Sequence, residues 1–277
     1  MNIEFTHEVL IYAIVGGIMA SIISGIIGIV ILEKRMVMMS GGVAHTAIGG
    51  MGLGYFFNFS PMLGAVVISV LASLGIGRFQ RRNQQHTDVL IGVFWAMSMA
   101  LGVLLMDISG QQVEFEEYLF GNIFSITPVQ LWIFAGLLVL ILLIFGGFYH
   151  AFKVYLFDEE FATVQGLNVR FLETILFIVL GLTTILLIKI VGMLLIVALY
   201  SAPPAIAKKF SRHFSTVILT TILLNLIFVI IGVVIAFQLK ISSGTSIIFI
   251  TGLTYFAVVT GEAIHKKKKA RQQALVE

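Results

Sequence analysis

MSGGVAHTAIGGMGLGY, residues 39–55, decides how this chain is to be understood. The stretch is uncharged and unusually small-sided, with one histidine in its middle. At helical spacing Gly41, His45 and Gly49 fall on one stripe, where the missing side chains let a second backbone come close to the imidazole. Of the six histidines, the other five sit near the ends of apolar segments. His45 is therefore the only neutral-pH metal ligand far from water.

Composition outside this stretch points the same way. Hydrophobic residues make up 59% of the 277 and charged residues 11%, with mean hydropathy +1.06. A soluble domain carries about a quarter charged residues, so the chain is an all-α polytopic membrane protein. Without cysteine, neither disulfides nor thiolate metal sites are available. Basic residues collect in loops rather than in a patch suited to nucleic acid. There is no phosphate-binding G-x-x-x-x-G-K-[ST] loop, so ATP is not bound through that motif. No H-E-x-x-H pair supports an intramembrane metalloprotease.

A spanning helix needs roughly 20 apolar residues, and nine runs qualify: 9–32, the run around His45, 62–77, 89–106, 129–149, 171–188, 191–207, 217–239 and 247–264. A tight break is expected at Lys189, and Pro203–Pro204 interrupts the seventh run. Should that run re-enter instead of crossing, the count falls to eight. The acidic start MNIEFTHE lacks the basic opening of a secretory signal, so the first run is expected to be retained. With the N-terminus outside and nine spans, all seventeen basic residues except Lys189 and Lys240 fall on the inner side, as cytoplasmic loops require. The acidic loop 107–127, with Glu114, Glu116 and Glu117, falls outside.

Residues 158–167, DEEFATVQGL, have an acidic first turn, a helix-forming middle and a glycine at the stop. They predict a capped surface helix of about two turns. Phe161 and Val164 share one face, suited either to a groove on a soluble partner or to a solvated linker.

Six segments in order, SGGVAHTAIGG, HTDVLIGVFWAMSMALGVLL, YLFGNIFSITP, DEEFATVQGLNVRFLE, VGMLLIVALYSAPPAIA and LKISSGTSIIFITGLTYF, resemble the membrane subunit of bacterial ABC importers for zinc and manganese. The resemblance covers nearly the whole chain. It implies one permease domain over 1–277, similar in fold to the type II cobalamin and iron-siderophore importers, with a basic cytoplasmic tail over 266–277. Two permease copies would line a pathway in the bacterial cell membrane, above a dimer of cytoplasmic ABC ATPases. An extracellular metal-binding lipoprotein would deliver the ion. No metal is held permanently; Zn2+ or Mn2+ is cargo. Residues 158–167 become the coupling helix, with Asp158, Glu159, Glu160, Phe161, Val164, Gly166 and Leu167 toward the ATPase. Glu114, Glu116 and Glu117 become docking surface for the lipoprotein, and His45 a pathway ligand.

The sequence departs from the family run G-D-A-x-S-H-A-x-x-P-G at two places: Gly41 stands at the aspartate and Gly49 at the proline. Losing the oxygen ligand favours zinc over manganese. Asp88, at the inner mouth of the fourth run, is either a contact for the departing ion or a helix cap. His45 taken alone fits a packing role as well. Glu173 and Glu262 fit salt links to Arg170 and to the terminal lysines. The eleven methionines are packing residues. An ion-coupled secondary carrier is the alternative, opposed by the lack of carboxylates within the spans.

Overall fold

The computed structural model describes residues 7–82, 87–110, 115–211 and 213–273. Its elements are helices: α1 His7–Glu33, α2 Val37–Phe56, α3 Pro61–Arg82, α4 Thr87–Ile108, α5 Phe115–Phe120, a 3-10 turn Ile123–Ser125, α6 Pro128–Gly147, α7 Tyr149–Phe157, α8 Glu159–Val164, α9 Val169–Val191, α10 Met193–Phe210, α11 Phe214–Leu239 and α12 Ser243–Gln273. Each of the nine expected runs falls mainly on one of the long helices α1 to α4, α6 and α9 to α12, with 129–149 running two residues past α6 and 191–207 starting two residues before α10. Eight of these are apolar enough, by length and composition, to cross a membrane. The helix outside that count is α2, whose glycines lower its hydropathy. It has little need of a lipid-facing surface, because it packs against α3, α4, α9 and α10.

That packing is backbone against backbone. A Cβ on Gly50 would strike the Gly64 carbonyl of α3, and one on Gly52 would strike the Gly102 carbonyl of α4. Inside a bilayer, lipid is as apolar as leucine, so helices associate through such close van der Waals contact. Gly28 of α1 likewise approaches the Tyr200 backbone and Pro204 of α10.

Pro203 and Pro204 do not interrupt α10, which continues as one helix to Phe210. The short run is therefore a full helix, and its prolines are buried against neighbours, where freed backbone groups are tolerated. The break expected at Lys189 lies three residues later, at Gly192, with φ +83°. Only glycine adopts that conformation without strain, and a Cβ there would also strike Phe120 and Gly121. Gly244, at the start of α12, closes on the Phe120 carbonyl. Ile123, Phe124 and Ile126 are buried beneath this knot. The second half of the loop over 107–127, expected as an exposed surface, is thus a plug within the helix ends.

Ion pairs define the opposite end. Lys34 and Arg81 meet Glu159, Arg81 meets Glu173, Lys208 meets Glu33, and Lys209 and Lys266 meet Glu262. These contacts bring together the last residues of α1, α3, α10 and α12 with the first turns of α8 and α9. Long helices therefore alternate in direction between a charged end and the plugged end. Glu173 takes Arg81 rather than Arg170 as its partner, because the end of α3 lies beside the start of α9.

Gly50→Leu should lower stability in detergent by about 1–3 kcal/mol or more, as overpacking against backbone does. Gly136→Leu on α6, where a Cβ meets nothing within 4 Å, should leave the thermal midpoint nearly unchanged. A thermal-shift comparison of the two checks this.

Candidate ion pathway and coupling surface

His45 sits near the middle of α2, about 12 Å along the helix from its first residue. Its imidazole is half-buried and stacks on the Trp95 indole of α4, with ring centroids 4.1 Å apart and planes 16° from parallel. Nδ1 is buried and has no hydrogen-bond partner among the described residues. A buried nitrogen left unpaired costs about 1–3 kcal/mol, so this atom is available for a ligand at low cost. Ser98, one turn further along α4, donates to the Thr46 carbonyl at 3.1 Å and locks the two helices together beside the stack.

The glycines expected on the histidine's stripe divide. Gly49 lies against the Ser98 backbone and hydroxyl with no space for a Cβ, whereas at Gly41 a Cβ would stand 3.5 Å from Val197 of α10, an ordinary contact. The close approach is thus made at Gly49 and at Gly42, Gly50, Gly52 and Gly54. Gly41 instead leaves room between α2 and α10, one turn nearer the charged end than the imidazole.

Beyond Gly41 the chain opens into a cleft of about 470 Å³, lined by Met38, Met39, Gln80, Thr87, Asp88 and Lys34 among others. Asp88 is exposed and lies in the first turn of α4. It stands at the mouth of the cleft rather than beside His45. Among the described residues no group of three or more His, Asp or Glu is arranged to hold a metal.

Helix α8 has the capping its sequence predicts. Asp158 accepts from the Phe161 N–H at 2.9 Å. Gly166 takes φ +78°, and Leu167 N–H donates to the Ala162 carbonyl at 3.0 Å, the Schellman form of a glycine-stopped helix end. Ala162 is fully buried, while Phe161 is 50% and Val164 83% exposed. Two large apolar side chains therefore stand outward beside the exposed Glu160.

Glu159, itself exposed, is drawn to cations of its own chain. It takes Arg81 of α3 and Lys34. Lys34 lies with its ammonium 3.6 Å from the centre of the buried Tyr155 ring of α7. Burial pulls the Lys34 pKa down and Glu159 opposes that pull; burial pushes the Tyr155 phenol up. This knot ties α8 to α3, α7, α9 and the α1–α2 turn. The sequence alone does not point to Arg81, Tyr155 or Trp95. Trp95 is one of two tryptophans, a rarity that marks it in the sequence without naming its partner. Glu114 lies outside the described residues; Glu116 and Glu117 fall in α5, with side chains outside the described set.

The profile of the ABC 3 transport family matches residues 6–262. This chain belongs to that family. An uncharacterized membrane protein of Synechocystis sp. is 37% identical over 90% of this chain and 89% of its own length. A manganese transport system membrane protein of Listeria innocua is 27% identical, covering 88% and 87%. A chain of PsaBC from Streptococcus pneumoniae, solved in complex with Fab, superposes with TM-score 0.81 at 24% identity over 92% of each chain, which shows the shared fold. As a member of the ABC 3 transport family, the chain is a membrane permease subunit whose ATP hydrolysis rests with a separate subunit.

Glu159→Gln should leave the protein folded and loosen α8. A partly exposed charge pair contributes about 0.2–1 kcal/mol, so amide exchange over residues 158–164 should accelerate by up to roughly five-fold.

Proposed function

We propose that this permease subunit passes a divalent transition metal from an external binding protein into the cytoplasm, with the charged end inward and α8 as its handle for an ABC ATPase. The observation that carries the reading is His45, an imidazole in mid-span with an unpaired buried nitrogen, in a chain of the ABC 3 transport family. The concentration of Lys and Arg at one end supports the orientation, since basic residues stay cytoplasmic. The C-terminus is then inside and the plugged end faces the binding protein.

Two copies about a two-fold axis bring two His45 side chains toward one route. Each supplies a single weak ligand, which suits passage, because a full tetrahedral set would hold zinc rather than release it. Asp88 is the next oxygen toward the cytoplasm. Gly41 leaves the route an imidazole without a neighbouring carboxylate and so favours zinc. The name of the Listeria innocua relative favours manganese. An ion-coupled carrier is the weaker reading, since family membership supplies an ATPase as the driver.

His45→Ala should reach the membrane at normal levels and lose most metal uptake. Full uptake by that variant would return the residue to packing. Growth of a deletion strain under chelation, restored separately with zinc and with manganese, distinguishes the cargo. Val164→Asp should abolish co-purification with the ATPase while leaving the thermal midpoint unchanged, because the side chain it replaces touches little of its own chain.

A further inference from the structure

Helices α3 and α9 are joined by a tight seam. The Phe177 ring covers Gly77, Gly181 abuts the Val70 backbone, and the Ser73 hydroxyl donates to the Phe177 carbonyl. Toward the charged end the seam widens into a groove of about 710 Å³, which neither the ion route nor α8 uses. Arg78, Arg81 and Arg170 line it, with Glu173 the single carboxylate. Glu173 is bound by Arg81 at 2.9 Å. Arg78 and Arg170 are exposed and form no ion pair with a described carboxylate. The rest of the lining is Leu74, Gly75, Phe79, Phe177 and Thr174.

The polarity runs along the groove. Arg81 and Arg170 lie at the helix ends, whereas Leu74 and Phe177 lie seven residues further in, roughly 10 Å toward the centre of the span. A cationic mouth at headgroup level above an apolar slot at acyl-chain depth has the amphipathy of a phospholipid. A soluble partner's acidic surface would match the mouth alone. Basic pockets between spanning helices on the cytoplasmic side bind anionic headgroups, and arginine holds a phosphate through two parallel N–H donors.

We propose that the α3–α9 groove is a binding site for an anionic phospholipid, whose phosphate lies between Arg78 and Arg170 and whose acyl chain lies along Leu74, Gly75 and Phe177. Arg81 is committed to Glu159 and Glu173, so the lipid touches the knot that fixes α8 without competing for it. The site does not depend on the identity of the cargo.

Native mass spectrometry of the full chain in mild detergent tests this, with phosphatidylglycerol, phosphatidylcholine or inorganic phosphate added. Phosphatidylglycerol adducts should exceed those of phosphatidylcholine, and Arg78→Gln with Arg170→Gln should weaken them by about ten- to thirty-fold, near the loss of two surface charge contacts. Lys153→Gln, an exposed basic residue on α7 outside the groove, should keep them. If the double variant does not elute as a single species, Gly75→Phe serves instead, since it obstructs the slot with the arginines intact and should lower the adducts too. Equal binding of both lipids, retention of phosphatidylglycerol by the variants, or saturable binding of inorganic phosphate alone overturns the proposal. So does a double variant that loses its ATPase partner with its lipid adducts unchanged, which would make the groove a protein interface.

Discussion

The contact of α2 with its neighbours, main chain against main chain, is the constraint on which the rest of this molecule depends. Water does not drive these helices together, and packing at short range must do it. Gly50 meets Gly64 on one side and Gly52 meets Gly102 on the other. This brings α4 close enough for Trp95 to lie flat on His45. Larger residues on α2 would move the indole away and alter the setting of the imidazole. The same small residues that make the helix weakly hydropathic thus place its imidazole.

The charged end solves a different problem. A short helix such as α8 has too few internal hydrogen bonds to persist unaided. Its caps satisfy both termini, and Glu159 fastens it to α3 and to the α1–α2 turn. Phe161 and Val164 are left exposed. The same knot joins α8 to α3 and α9 through charge and to α7 through a buried ring.

Much of this was legible in the sequence because it is local. Nine apolar runs correspond to nine helices, since the thickness of a bilayer fixes the length of a crossing. The cap at Asp158 and the stop at Gly166 follow from residues within three or four positions of each other. What depends on contacts across the fold was not legible. Lys189 looked like a boundary because it is charged, yet the helix carries it through its last turn and bends at Gly192, where the backbone of a distant loop leaves no space for a side chain. Glu159 is placed toward a partner by the family resemblance, and its pairing with Arg81, 78 residues away, is visible only in the fold. Trp95 and His45 are both visible in the sequence, and only the fold makes them neighbours.

The one-residue bend at Gly192 has a mechanical meaning. It joins α9, held at its foot by Arg81, to α10, held at its foot by the pairing of Lys208 with Glu33 and of Lys209 with Glu262. The apex is wedged against Phe120 and Gly121. An arch closed so tightly at its crown has little slack to absorb a spread of its feet, so the two helices are constrained to move together.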